Sequence, residues 1–310
     1  MSSDCLPTLH PNVLRPGDAV ALVSPAGPVA AAKVESAAEV LKGWGLNPRI
    51  FPHALDTHSF YAGTDEHRLA DFNAALADPE IRAVFCNRGG YGAQRIVQHL
   101  DFDAVRRDPK LVVGFSDITA IHSALWEHAR LATIHGPVAS QLERGGVFVS
   151  GLKHVVMSTE PVQVTATPAE PTFNVRTRGS AQGLLLGGNL AIISSSVGTC
   201  YMPVLTGAIL LIEDVGEASY RVDRMLTQLL NSGALDRLAG VAIGQFSGPN
   251  GSTGSITHSS VLMERLGDLG IPVLGGLSIG HDGINYAVPL GVQATLDADA
   301  GTLTVGAATR

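Results

Sequence analysis

Short apolar runs alternate with amphipathic segments along the first half of the chain. Runs of this length predict buried strands, and they cover residues 19–23, 81–86, 111–115 and 131–134. Apolar residues at helical spacing predict helices over residues 29–44, after Thr64, over residues 93–100 and after Ser116. Strands that alternate with helices predict an α/β fold with a parallel sheet, in which ligands bind at the carboxyl ends of the strands.

The hydrophobic pattern weakens in the middle of the chain, from about residue 143 to residue 183. Pro161, Pro168 and Pro171 interrupt a stretch rich in Thr and Val there. Strand-like runs return at residues 208–212, 241–246 and 272–274, with helical patterns at residues 220–230 and 259–266. We therefore expect an amino-terminal domain over residues 1–160, a linker over residues 161–180 and a carboxy-terminal domain over residues 181–310.

The composition is that of an ordinary enzyme-sized chain. It has 310 residues, of which 45% are hydrophobic and only 5% aromatic, and its formal net charge is -7. No cluster of Lys and Arg offers the footprint of a nucleic-acid site, and no stretch is apolar over a bilayer-spanning length. Residues 1–14 lack the basic and apolar regions of an export signal. We therefore expect a cytoplasmic protein that binds a small or peptide-like ligand, with neither nucleic acid nor membrane as a partner.

The cysteines and histidines do not indicate a metal or a disulfide framework. Cys5, Cys86 and Cys200 are odd in number and widely spread, without C-x-x-C spacing. The histidines show no H-x-x-x-H or related ligand spacing. Reduced thiols, no metal and no cofactor are therefore expected.

Ser116 lies where the apolar run 111–115 ends and a helical pattern begins. A strand that enters a helix through a tight turn exposes the side chain at the bend, and the free N–H groups of the helix favour negative charge there. Gly114 gives such a turn room, but Ile118 stands where the G-x-S-x-G pattern has its second glycine. Ser116 is therefore a candidate nucleophile, and a simple helix cap is the alternative.

Three further segments carry candidate chemistry. The glycine-rich loop at residues 88–92 can serve as a plain turn or as a second oxyanion donor, and it lacks the spacing of a phosphate loop. Glu213 ends an apolar run, where an ionised acid needs a partner, although it can also pair at the surface. His281 lies in a glycine-flanked loop, where it is free to reorient and can act as a base, and an ordinary solvated histidine is the alternative.

Two other histidines are expected to have structural roles. His135 is expected to form a structural hydrogen bond, although it is also a possible substitute base, and His122 is expected to pack within the fold.

Six motifs together resemble those of the LD-carboxypeptidases, a serine peptidase family that includes the microcin C self-immunity proteins. The resemblance runs from about Pro16 to about Asp297. The motifs are Arg88-Gly89-Gly90-Tyr91-Gly92, Gly114-Phe115-Ser116-Asp117, Ile134-His135-Gly136-Pro137, Leu186-Gly187-Gly188-Asn189, Ile212-Glu213-Asp214 and Gly280-His281.

The resemblance implies a fold and a site. It implies a flavodoxin-like, or class I amidotransferase-like, amino-terminal domain that bears the serine, a smaller β-rich carboxy-terminal domain, and a homodimer. The implied triad is Ser116, Glu213 and His281, with the backbone N–H groups of Gly90 and Asp117 as oxyanion donors. Such a triad suits acyl transfer, because the histidine accepts the serine proton while the acid fixes its tautomer.

The expected function is hydrolysis of the amide between an L-centre and a terminal D-residue, with D-alanine of a murein tetrapeptide as the family's typical leaving residue in cell-wall recycling. The alternatives are an immunity peptidase that cleaves an aminoacyl or peptidyl nucleotide, and a non-catalytic small-ligand-binding protein. The segment 145–174 is where we expect the two peptidase branches to differ. The candidate substrate-binding residues are Arg88, Tyr91 and Asn189, and Arg221 is a further candidate cation by position alone.

Overall fold

The computed structural model describes residues 7–249 and 256–310. Residues 1–6, which carry Cys5 and part of the segment used for the export prediction, lie outside the described residues. Two sheets with flanking helices form a two-domain α/β protein in which most strands run parallel. Within the described ranges, every helix is too short or too polar to cross a bilayer.

The first half of the chain alternates strands and helices, as its hydrophobic pattern predicts, but two of its elements, the strand Asn47–Ile50 and the helix Phe102–Arg107, were not predicted. The strands are β1 (Ala19–Val23), β2 (Asn47–Ile50), β3 (Ile81–Cys86), β4 (Leu111–Gly114) and β5 (Thr133–His135). The helices are α1 (Ala31–Gly43), α2 (Asp65–Ala77), α3 (Phe102–Arg107) and α4 (Thr119–Ala129). The five strands pair in parallel in the order β2-β1-β3-β4-β5. The predicted bounds of β1 and β3 are confirmed, and Thr64 caps α2 by accepting from the His67 N–H.

Two segments differ from their expected conformation. Residues 93–100 form two short 3₁₀ helices, Ala93–Arg95 and Val97–His99, instead of one α-helix. The stretch between 143 and 183 contains helix α5 (Gly146–Met157) and strand β6 (Val162–Thr165). Helix α5 is held by burial of Val149, Leu152, Val155 and Val156 on one face, a stripe that the neighbouring prolines and glycines obscure in the sequence.

The second half builds a seven-stranded sheet. Its elements are β7 (Ser180–Asn189), α6 (Leu190–Ser195), β8 (Ile209–Val215), α7 (Ser219–Asn231), β9 (Gly240–Ser247), α8 (His258–Leu266), β10 (Val273–Leu274), β11 (Val288–Leu290), β12 (Gln293–Asp297) and β13 (Thr302–Val305). The order is β10-β9-β8-β7-β12-β13-β6, parallel from β10 to β7 and antiparallel from β7 to β6. Strand β11 is the exception, because it leaves this sheet.

Strand β11 joins the two halves of the molecule. It pairs antiparallel with β5 of the first sheet, with Val288 opposite His135 and Leu290 opposite Thr133, before the chain returns to the second sheet as β12. A single hydrophobic core holds residues of both sheets, such as Val113 of β4 and Leu211 of β8. Strands β4 and β8, near whose carboxyl ends Ser116 and Glu213 lie, therefore pack against the same hydrophobic core.

Candidate active site

Ser116 occupies a strained turn between β4 and α4. Its backbone φ is +64°, in the left-handed region that residues with a Cβ rarely adopt and that costs on the order of 1–2 kcal/mol. Residues Ser116–Ile118 form one 3₁₀ turn that leads into α4. The side chain is half-buried and lines a cleft of about 560 Å³. A backbone strained at the mouth of a cleft is typical of a functional residue that the surrounding structure holds in place.

The glycine-rich loop after β3 packs directly against this serine. A Cβ on Gly89 would lie 2.9 Å from the Ser116 Cβ and 3.2 Å from its Oγ, so only glycine fits there. The Gly89 carbonyl accepts from the Gly27 N–H at 2.9 Å, which ties the loop to the turn after β1. Gly90 follows with φ of +106° and lines the same cleft. The predicted partnership of this loop with Ser116 therefore has its basis in close backbone contact.

Glu213 and His281 form a close polar contact at the cleft. The Glu213 Oε2 lies 2.6 Å from the His281 Nδ1, and the Glu213 side chain is fully buried, whereas His281 is 17% exposed and lines the cleft. An ionised carboxylate only accepts hydrogen bonds, so it assigns the proton of the neutral ring to Nδ1 and leaves Nε2 as the free acceptor. Glu213 lies within β8 and not after it, because the strand extends to Val215.

The charge of Glu213 also sets the proton affinity of the ring. Burial disfavours the imidazolium, but the hydrogen bond and the charge of Glu213, with Asp214 and Asp282, outweigh it. The pKa of His281 is consequently raised above its ordinary value of 6.5. The raised pKa makes the ring a stronger base toward a neighbouring hydroxyl.

The loop that carries His281 is anchored on both sides of the ring. Gly280 has φ of +141°, and a Cβ there would meet the Glu213 Oε2 at 3.0 Å. Its N–H donates to the Asn285 Oδ1 at 3.0 Å. The Gln245 Oε1 accepts from the Asp282 N–H at 2.7 Å, while its amide donates to the Asp282 carbonyl. These bonds restrain the histidine without touching its reactive edge.

Asn189 lies behind the acid and does not line the cleft. Its amide Nδ2 donates to the Asp214 Oδ1 at 3.1 Å and lies 3.4 Å from the Glu213 Oε1, while its Oδ1 caps α6. Burial and the adjacent charge of Glu213 raise the pKa of Asp214 to about 6. These contacts favour a role for Asn189 in holding the two carboxylates, and the predicted role in substrate binding stays a prediction.

His135 and His122 are both buried below the cleft. Burial, with His122 and His281 nearby, lowers the pKa of His135 well below its usual value, so the ring is neutral. The expected structural hydrogen bond is wrong: neither ring nitrogen of His135 has a partner among the described residues, and the ring packs edge-on to Phe115 at 5.8 Å. The His122 Nε2 lies 2.9 Å from the Gly114 carbonyl oxygen, and burial lowers its pKa to about 4.

The remaining predicted residues divide between the cleft and its surroundings. Arg88 is exposed on the rim, where its guanidinium donates to the Pro28 carbonyl at 2.8 Å. Tyr91 lies outside the cleft lining and stacks on Tyr61 with centroids 5.7 Å apart. Arg221 pairs with Glu217, also away from the cleft. The Asp117 carboxylate points inward and accepts from the Ala93 N–H at 2.7 Å.

Sequence reasoning missed two cations that line the cleft. Lys33 of α1 and Arg144 line the cleft with Arg88, and so does Gln141. Lys33 pairs with Glu143, whereas Arg144 has no ion pair within residues 7–249 and 256–310. Arg144 lies in a stretch without a clear hydrophobic period, so no pattern marks it. The cleft that contains the serine is thus also lined by basic side chains.

A two-domain α/β fold with a serine and a carboxylate-paired histidine in one cleft is compatible with one class, the hydrolases of the serine peptidase type. Comparison with known proteins agrees with that class. Residues 20–136 match the LD-carboxypeptidase N-terminal domain, and residues 182–296 match the LD-carboxypeptidase C-terminal domain. The chain belongs to the LD-carboxypeptidase family.

Individual relatives are similar over almost their full length. A putative carboxypeptidase of Streptomyces coelicolor is 42% identical over 304 residues, which is 96% of each chain. The muramoyltetrapeptide carboxypeptidase of Oxalobacter formigenes is 30% identical, with a TM-score of 0.83 over 94% of this chain and 100% of the other. The microcin C7 self-immunity protein MccF, solved with aspartyl sulfamoyl adenosine, shares the fold with a TM-score of 0.84 at 22% identity, over 96% of this chain and 98% of that one.

Proposed function

We propose that this protein is a serine LD-carboxypeptidase that releases a terminal D-amino acid, D-alanine, from a murein tetrapeptide during cell-wall recycling. The observation that carries the proposal is the 2.6 Å contact between buried Glu213 and the Nδ1 of His281, at a cleft that also contains the strained Ser116. The similarity to a muramoyltetrapeptide carboxypeptidase supports the substrate class.

In the proposed reaction, the His281 Nε2 takes the proton of the Ser116 hydroxyl as the Oγ attacks the carbonyl carbon of the terminal amide. Glu213 accepts from the ring Nδ1–H and stabilises the imidazolium that forms. His281 then gives its proton to the leaving amine of the D-residue. Water hydrolyses the resulting acyl-serine ester by the same proton transfers in reverse, which restores the free hydroxyl.

The backbone N–H groups of Gly90 and Asp117 are the proposed donors to the tetrahedral oxyanion. Gly90 lines the cleft beside Ser116, and its N–H has no acceptor among the described residues. The Asp117 N–H lies in the first turn that leads into α4, where the helix dipole favours negative charge. Two aligned donors of this kind contribute several kcal/mol to transition-state binding in related chemistries.

The rim cations suit a substrate that ends in a free carboxylate. Arg144 and Arg88 face the same cleft as Ser116, and a guanidinium binds a carboxylate through two parallel N–H bonds. We propose that one of them holds the terminal carboxylate, so that only a carboxy-terminal residue is cleaved. Replacing the arginine that holds the carboxylate by Ala should raise KM at least tenfold with little change in kcat, whereas replacing the other should change KM little. Arg107→Ala, at the end of α3 and outside the cleft lining, should change neither constant.

The strand order of the first sheet supports the flavodoxin-like label for the amino-terminal domain. Strands β2-β1-β3-β4-β5 run parallel in the order found in that doubly wound fold, whose ligands bind at the carboxyl ends of the strands. Ser116 and the glycine-rich loop lie at those ends. A site at this edge agrees with the proposed chemistry.

The deciding experiment compares three substrates with two forms of the full chain. Wild type and Ser116→Ala are incubated with murein tetrapeptide, with the same peptide ending in L-alanine, and with an aminoacyl sulfamoyl nucleotide, and products are identified by mass. The proposal requires release of D-alanine by wild type alone and little release of L-alanine. Circular dichroism of Ser116→Ala checks that the fold is kept.

Other outcomes would replace the proposal. Turnover of the nucleotide alone would favour the immunity-peptidase reading, for which the shared fold with MccF in complex with aspartyl sulfamoyl adenosine is the supporting observation. Binding of either ligand without products, and without labelling of Ser116 by a fluorophosphonate, would favour the binding-protein reading. D-Alanine release by Ser116→Ala at the wild-type rate would exclude Ser116 as the nucleophile.

A further inference from the structure

A second group of chemically active side chains lies outside the cleft, where the chain leaves β2 and enters α2. His53 and Asp56 belong to the loop after β2, and His67 lies in the first turn of α2. None of the three lines the cleft of Ser116. Their irregular sequence spacing matches no ligand motif, so the folded chain alone brings them together.

The three side chains converge on one point. The Asp56 Oδ2 lies 3.0 Å from the His53 Nδ1 and 2.9 Å from the His67 Nδ1. One ligand atom from each residue lies within 4.8 Å of the others. The two imidazole rings are stacked with centroids 3.9 Å apart and planes inclined by only 20°. Both rings therefore direct the same nitrogen toward a single carboxylate oxygen.

The backbone holds these side chains in place. The His53 N–H donates to the buried Asp71 carboxylate at 2.9 Å, and the Asp56 N–H closes a turn on the His53 carbonyl at 3.1 Å. The His67 N–H is fixed by the Thr64 cap of α2. The cluster is preorganised from two separate elements.

We propose that His53, Asp56 and His67 bind one Zn²⁺ ion. Zn²⁺ takes imidazole nitrogen at about 2.0–2.1 Å and carboxylate oxygen at about 2.0–2.2 Å, which places tetrahedral donors about 3.3 Å apart. The present Asp56–histidine separations of 2.9 and 3.0 Å need to widen by a few tenths of an ångström, and the two stacked rings need to turn so that both Nδ1 lone pairs meet at one ion. With the ion bound, each ring would carry its proton on Nε2 and coordinate through Nδ1, and water would complete the fourth position because the three side chains are 33–46% exposed.

Such an ion would act as a structural staple. It would join the loop after β2 to α2, and the same loop carries Tyr61, which stacks on Tyr91 of the glycine-rich loop. The Ala62 N–H also donates to the Ala26 carbonyl at 2.9 Å, next to Gly27. Because the site lies outside the cleft, its occupancy does not depend on the proposed reaction.

The test is a titration of chelator-treated full chain with Zn²⁺, followed by calorimetry and by Co²⁺ substitution. We expect one Zn²⁺ per chain, a visible Co²⁺ absorption band that Zn²⁺ displaces, and a Tm that rises by several degrees when Zn²⁺ exceeds its Kd a hundredfold. His67→Ala and Asp56→Asn should each weaken binding at least tenfold. The matched control is His58→Ala, an exposed histidine of the same loop that is not in the cluster and whose loss should leave Zn²⁺ affinity unchanged.

Two results would overturn the site. One is wild type without stoichiometric Zn²⁺ binding, which would leave the three residues as a hydrogen-bonded cluster only. The other is an unchanged Zn²⁺ affinity in both His67→Ala and Asp56→Asn, which would show that the ion binds elsewhere. Neither result depends on peptidase activity, so a failed metal site and a failed peptidase assignment remain distinguishable.

Discussion

Replacing Glu213 by Gln removes the charge behind His281 while preserving most of the side-chain shape. The Glu213 carboxylate is fully buried and contacts the ring at 2.6 Å, so bulk water cannot replace it as a counter-charge. The amide can accept from the Nδ1–H, but it also carries an NH₂ group that can face the ring and reverse its tautomer. Both effects weaken the imidazolium that the proposed transition state requires.

The expected loss follows from that geometry. Uncharged replacement of the triad acid in serine peptidases lowers kcat by about 10⁴, and a loss of about 10³–10⁴ in kcat/KM corresponds to about 4–5.5 kcal/mol of transition-state stabilisation. Because Glu213 is fully buried, we expect Glu213→Gln to fall in this range. Turnover should remain measurable, since the nucleophile and the oxyanion donors are unchanged.

The pH dependence provides a second, independent readout. In wild type the pKa of His281 lies above 6.5, so kcat/KM should fall as the pH drops through that raised value and the ring becomes protonated. In Glu213→Gln, the hydrogen bond and charge that oppose burial are removed, so the pKa of His281 falls. The acid limb of the profile should therefore shift to lower pH, although the maximal rate is smaller.

The assay is release of D-alanine from murein tetrapeptide between pH 5 and 9. Glu217→Gln is the control, since Glu217 pairs with Arg221 outside the cleft, and we expect its kcat/KM to stay within twofold of wild type. A Glu213→Gln enzyme within tenfold of wild type, or an acid limb that moves to higher pH, would refute the proposed role of Glu213.

Three further predictions concern the geometry around the serine and the histidine. Ser116→Ala and Ser116→Gly should both abolish turnover, but Gly should be more stable than Ala by about 0.5–1 kcal/mol in denaturant unfolding, because φ of +64° strains any residue with a Cβ. Gly89→Ala, whose Cβ would lie 2.9 Å from that of Ser116, should slow fluorophosphonate labelling at least tenfold, and labelling at the wild-type rate would show that the loop can yield. Gln245→Ala frees the Asp282 backbone, so kcat should fall several-fold while the midpoint of the acid limb stays in place, and a shifted midpoint would contradict a purely positioning role.

The local hydrophobic pattern was sufficient to predict much of the first sheet. The apolar runs predict β1 and β3 with their observed bounds, and Thr64 is recognisable as a cap because helix ends depend on neighbouring residues alone. The turn at Ser116 was predictable for the same reason, from Gly114 and the change of hydrophobic period. Its left-handed backbone was not, because no local residue pattern marks it, and the serine packs there against Gly89, which is distant in sequence.

Features that depend on the packing of distant segments could not be predicted from the sequence. Arg144 faces the cleft only because the chain folds back over α1, and α5 and β6 lie in a stretch whose prolines mask the hydrophobic stripe. His135 lacks a hydrogen-bond partner among the described residues, and the residues next to it in the sequence do not predict this. The division at residues 161–180, the homodimer and the cytoplasmic location stay predictions.

The excursion of β11 into the first sheet determines how the site can move. The chain passes from His281 to Val288 within seven residues and there becomes part of the sheet that carries Ser116. A hinge motion between the two halves would have to break the hydrogen bonds between β11 and β5. We therefore expect substrate to enter and product to leave past side chains at the rim of the cleft, without a clamshell opening of the two sheets.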